Sequence, residues 1–114
     1  MATVKWTKRA LTQLLSLYKN GVKEFGFSVA RKTVSKAYSI TDNLEKWPTT
    51  GFPEPLLKNL AHLYRAKHIN KRYKIIYRYE ESTDIVYIED IWDTRRSPKK
   101  LINSMKIENS PLGS

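Results

Sequence analysis

The run Arg72-Tyr73-Lys74-Ile75-Ile76-Tyr77-Arg78-Tyr79 decides the fold of this 114-residue chain. Tyr73, Ile75, Tyr77 and Tyr79 fall on one side of an extended chain, and Arg72, Lys74 and Arg78 fall on the other. That period of two belongs to a β-strand with one face against a core. Glu80 to Thr83 then predicts a hairpin turn, and Ile85, Val86, Ile88, Ile91 and Trp92 predict the returning strand. Its period shifts near Glu89 and Asp90, as a β-bulge there requires.

Upstream, Leu60 to Ile69 carries a weaker strand pattern. Pro48, Gly51, Pro53 and Pro55 crowd the stretch from Trp47 to Pro55 and predict a loop without regular structure. Two helical patterns precede it. Ala10, Leu11, Leu14, Leu15 and Tyr18 recur at helical spacing behind Thr7, a ready N-cap, and Gly21 is placed to end the run. Ala30, Val34, Ala37, Tyr38, Thr41 and Leu44 form a second stripe, predicting a helix capped by Ser28 and running to about Glu45. Thr3-Val4-Lys5-Trp6 alternates as a short first strand, and Leu101, Ile102 and Met105 predict a short last helix after Pro98. The expected fold class is α+β, with two N-terminal helices packed on a twisted, mainly antiparallel four-stranded sheet. A single domain is expected over residues 1–107, with 108–114 a flexible tail.

Composition narrows the function. Cysteine is absent, which removes disulfide scaffolds, thiolate zinc sites and thiol nucleophiles. His62 and His68 are the only histidines and lack tight metal spacing, so no metal site and no cofactor are expected. No apolar run is long enough to span a bilayer, and Met1 to Trp6 is no signal-peptide core, which predicts a cytoplasmic protein without membrane contact. Twenty-one Lys and Arg against 11 Asp and Glu leave a formal charge of +10, which calls for an anionic partner. The charge is segregated: Lys58 to Arg78 holds seven bases and no acid, and Glu80 to Asp93 holds six acids and no base. Arg95, Arg96, Lys99 and Lys100 then follow. Pairing across the hairpin cannot absorb all of this excess, so a basic face is expected.

These elements, in this order, resemble the RelE/ParE superfamily of toxins from bacterial type II toxin-antitoxin systems, over about residues 3 to 101. The helix pair, Tyr64-Arg65, the Arg72 to Tyr77 strand and the ending Ile91-Trp92-Asp93-Thr94-Arg95-Arg96-Ser97-Pro98 carry the resemblance. Gly51-Phe52-Pro53-Glu54-Pro55-Leu56 is similar to a loop of YoeB-like members, whereas the ending is similar to ParE-type sequences. The first likeness implies a metal-independent, ribosome-associated messenger RNA endoribonuclease. In that reading Glu54 is the base, Lys74 stands where an Arg stabilises the phosphate, and Arg95 assists, making these the catalytic set. Asp93-Thr94 stands at the place of a His-Tyr pair. Arg65, Lys67, His68, Lys71, Arg72 and Arg96 would hold the nucleic acid, because cations around the phosphate can replace a metal. The second likeness implies a non-enzymatic inhibitor of DNA gyrase; a third alternative is an inactive relative that keeps only antitoxin binding. Each implies a cognate acidic antitoxin as partner, with ribosome and messenger RNA, or DNA gyrase, as target.

Overall fold

The computed structural model of the chain describes residues 1–108. Its frame is the hairpin of β4 (Tyr73–Glu80) and β5 (Ile85–Asp93), which the alternating tyrosines predicted. Asp84 closes the turn at φ 54°, a left-handed conformation that Asp tolerates, and accepts a hydrogen bond from the Tyr79 hydroxyl at 2.6 Å. Ile76 pairs with Asp90 and Tyr77 with Ile88, so Glu89 is the extra residue of a bulge, as its broken period required.

The sheet has five strands, not four, in the order β1-β5-β4-β3-β2. β1 (Thr3–Trp6) runs parallel to β5, and β3 (Tyr64–His68) is antiparallel to β4. The additional strand, β2 (Phe52–Pro53), lies inside the stretch expected to be irregular and pairs with Ala66 and Arg65. Proline is tolerated there because β2 is an edge, where a missing N–H costs the ladder nothing.

One face of the sheet is covered by α1 (Lys8–Phe25) and α2 (Phe27–Asn43). Thr7 caps α1 by accepting from the Ala10 N–H at 3.1 Å. Gly21 does not end α1; the helix runs four residues further, and a Cβ at Gly21 would sit 3.3 Å from that of Ala30, so the glycine lets the two helices approach. The break comes at Gly26, whose φ of 91° suits glycine and which takes the N-cap place expected of Ser28. The buried stripe of α1 is Ala10, Leu14 and Leu17, whereas Leu11 and Leu15 remain about half exposed. On α2, Ala30, Ala37 and Thr41 are buried, Tyr38 is not, and the helix ends at Asn43 rather than Glu45.

The opposite face carries a second core. α3 (Pro98–Glu108) lays Leu101 and Met105 against Ile76, Trp92, Tyr64, Ala66 and Leu57, the last from a 3₁₀ turn at Pro55–Leu57. Both faces of β4 are therefore buried, which explains why Ile75, Ile76 and Tyr77 are consecutive core residues. Of the expected tail, Glu108 is the last residue of α3, and 109–114 lie outside the described residues. Among the described residues, no helix is long and apolar enough to cross a membrane.

Candidate functional site

The loop from Thr49 to Leu57 is welded to the sheet from both sides. Gly51 N–H donates to the Tyr77 hydroxyl at 2.8 Å, and a Cβ on Gly51 would stand only 2.6 Å from that side chain, so no larger residue fits. Arg65 donates to the carbonyls of Thr49 and Gly51 at 3.2 and 2.9 Å, and the Lys67 ammonium reaches the Thr50 hydroxyl at 3.5 Å. Past Pro53, the Glu54 N–H donates to the Tyr64 carbonyl at 2.8 Å. This anchoring drives the Glu54 side chain inward: it is 0% exposed. Its Oε1 accepts from the ammonium of Lys74, itself only 12% exposed, and Oε2 is buried without a hydrogen-bond partner.

Lys74 stands on the α3 side of the sheet, because it pairs with His68 on β3 and Trp92 on β5. Tyr64 and Ala66 also face α3, so the period of two puts Arg65 and Lys67 on the opposite side. The basic segment from Arg65 to Lys74 is therefore divided between two faces. Glu54, Lys74 and exposed His68 share one of them, with the His68 ring 5.4 Å from that of Phe52.

A second cluster forms where β4 begins and β5 ends. Asp93 accepts from Arg72 Nε at 3.3 Å, from the Arg95 backbone at 2.9 Å and from the Arg95 guanidinium at 3.3 Å. Arg72 also reaches Glu24 of α1 at 2.9 Å. Burial pushes the Asp93 carboxyl up, but these bonds, first those from Arg95 and then that from Arg72, outweigh it and leave its pKa below the ordinary value. Burial likewise opposes the charge of Arg72, and the bonds to Glu24 and Asp93 more than offset it, so its pKa is raised. Thr94 ties the neighbouring turn down: its hydroxyl bonds the carbonyls of Lys71 and Arg72 at 3.1 and 2.9 Å. The guanidinium of Arg72 lies 4.9 Å from the Tyr73 ring centre, and that of Arg96 lies 4.9 Å from the Trp92 ring centre. Lys71, Arg95 and Arg96 are exposed.

Sequence reading missed the organising roles of Asp93 and Glu24. Asp93 had only its place in the ending to mark it, and nothing local links Glu24 to a cation 48 positions away. Among the described residues, no group of three or more acidic or histidine side chains is placed to hold a metal ion.

The elements define a small α+β domain whose five-stranded sheet is braced by the Thr49 to Leu57 loop. Residues 4–98 match the family model described as the ParE toxin of type II toxin-antitoxin system, parDE, and the chain belongs to that family. Membership implies an antitoxin partner. Among solved structures, a chain of the chromosomal ParDE TA system from P. aeruginosa aligns with a TM-score of 0.66 at 20% identity, covering 82% of this chain and 96% of that one. The metal-bound toxin from Helicobacter pylori aligns at 0.59 and 17% identity, covering 83% and 97%, respectively. The YoeB/ParE toxin from Agrobacterium tumefaciens aligns at 0.56 and 19% identity, covering 80% and 96%. At these identities the likeness is one of fold. No curated protein sequence matches the chain significantly.

Proposed function

We propose that this toxin acts in the cytoplasm by binding DNA gyrase rather than by cutting RNA, and that its antitoxin is an acidic protein. The observation that carries this reading is the burial of Glu54. A general base must come within about 2.6–3.2 Å of the proton it removes, and a carboxylate that is 0% exposed and already bound to Lys74 has no such approach to a ribose hydroxyl. Asp93, at the place of the His-Tyr pair, is likewise engaged, by Arg72 and Arg95. What the surface offers instead is cationic: Arg95, Arg96, Lys99 and Lys100 are all exposed. The ParE-like ending and the family match support the same target.

One observation favours the nuclease reading. Glu54, Lys74 and His68 do share one face, with an unpartnered carboxylate oxygen among them. In that reading Glu54 is the base, Lys74 and Arg95 steady the phosphorane, and His68, Lys71, Arg72 and Arg96 hold ribosome-bound messenger RNA, while Arg65 and Lys67, on the opposite side of β3, brace the loop that carries Glu54. Induced expression in a bacterial host, with DNA and protein synthesis followed separately and messenger RNA 5′ ends mapped, separates the two. DNA synthesis should fall first, and Glu54→Gln should remain toxic. New 5′ ends in wild type that disappear in Glu54→Gln would establish the nuclease instead.

A further inference from the structure

We propose that the end of the sheet at Lys71, Arg95 and Arg96, with Lys99 and Lys100 in the first turn of α3 a few residues on, is a contact surface for the phosphate backbone of duplex DNA, the DNA held by the enzyme that the toxin poisons. The inference rests on the gyrase reading and adds a second contact to it. Three features support it. First, two of these positions are restrained: Thr94 fastens the turn bearing Lys71 to the end of β5, and Asp93 holds the Arg95 side chain while leaving it 63% exposed. Such restraint lowers the entropy cost of binding a phosphate. Second, the cluster keeps an excess of charge. Asp93 and Glu24 bond Arg72 and Arg95, while exposed Lys71, Arg96, Lys99 and Lys100 add four further positive charges. Third, the two aromatic rings next to these cations, those of Tyr73 and Trp92, each carry a guanidinium over one face. Arg72 lies over Tyr73 and Arg96 over Trp92, which is itself only 3% exposed. Single-stranded RNA is gripped largely by stacking bases on aromatic rings, whereas a duplex presents phosphates and keeps its bases stacked on one another. A surface with restrained cations and rings capped on one face by guanidinium groups fits the duplex.

The test is binding of the purified chain to a short fluorescent DNA duplex, read by anisotropy across a salt series, beside a single-stranded RNA of equal length. Two variants remove equal charge: Lys71→Ala with Arg96→Ala, Lys99→Ala and Lys100→Ala at the sheet end and the start of α3, and Lys8→Ala with Lys19→Ala, Lys32→Ala and Lys36→Ala on α1 and α2. The expected result is that the first set flattens the log–log salt slope by about 0.9 for each phosphate no longer neutralised and the second leaves it unchanged. Equal flattening by both sets would reduce the effect to net charge and overturn the proposal. Tighter binding to the RNA than to the duplex would overturn it too. A supercoiling assay with purified gyrase keeps the two ideas apart. If the sheet-end variant loses duplex binding yet inhibits gyrase as wild type does, the DNA contact is irrelevant to poisoning and the inference fails while the gyrase reading stands. If wild type binds duplex through this surface but leaves gyrase untouched, the gyrase reading fails and the DNA-binding surface remains.

Discussion

Glu54 and Lys74 form an ion pair that the fold cannot easily lose and need not have had. Burying two charges costs several kcal/mol per ion, and their attraction returns that only when both are present. Replacing Lys74 by Met leaves the wholly buried carboxylate uncompensated, and urea unfolding should show a loss of about 3–5 kcal/mol. Adding Glu54→Gln to Lys74→Met should recover most of that loss, since a neutral amide in a mostly apolar pocket is far less costly than a bare carboxylate. Failure of the second substitution to rescue the first would mean that Lys74 matters for packing rather than for charge. Gly51 is constrained sterically: its hypothetical Cβ lies 2.6 Å from Tyr77 and 2.9 Å from the Ala66 carbonyl oxygen. Gly51→Ala should therefore destabilise the protein by about 1–3 kcal/mol, the scale of overpacking a closed site. At this scale the sequence marked Glu54 and Lys74 through a resemblance, but their contact was hidden. They lie 20 positions apart, and no periodicity relates a loop residue to a strand residue.

The secondary-structure elements divide by how local their causes are. Thr7 capping α1 is a four-residue event, legible in the chain, and Thr7→Ala should cost about 1 kcal/mol in the same unfolding assay. Removing the bond from the Thr7 hydroxyl to the Glu89 carbonyl, at 3.3 Å, adds to that cost, because it also ties the helix start to the bulge. β4, β5 and the bulge at Glu89 were equally legible, since a two-residue period and its interruption need no partner to be seen. β2 was not: two residues, one of them proline, have no period, and only pairing with Ala66 and Arg65 makes them a strand. Gly21 misled because glycine ends helices and also lets helices touch, and the choice between those roles depends on Ala30 across the interface. For α3 the pattern was visible but its destination was not. Its Leu101 and Met105 close a second core, so Leu101→Ala should cost about 2–5 kcal/mol.

For the whole molecule, stability should trace a dome against pH. Asp93 titrates below its ordinary value in the folded chain, so it contributes stability at neutral pH that is lost as acid protonates it, beginning near the unfolded carboxylate value of about 3.9. On the alkaline side, burial raises Tyr73 and Tyr77, with the nearby Arg72 and the Gly51 bond only partly opposing it. Unfolded tyrosines ionise near pH 10 while the buried ones resist, so stability should fall as pH rises beyond about 10. Urea midpoints measured from acid to alkali check both limbs, and Asp93→Asn should flatten the acid one. A wild-type acid limb as shallow as that of the variant would show that the Arg72–Asp93–Arg95 cluster does not couple to folding.

Periodicity, capping and charge order along the chain determined the helix pair, the central hairpin and the basic character, because each is a property of neighbours within a few residues. Tertiary structure alone decided which cations share a face. Alternation sends Arg65 and Lys67 to one side of β3 and His68 to the other, but only the register places Lys74 with His68 and brings Glu54 beneath them. It also decided that Asp93 gathers Arg72 and Arg95 rather than standing alone at a strand end. Charge attraction acts through space over a few ångströms, and which residues come that close is settled by pairing and packing, not by their separation in the chain.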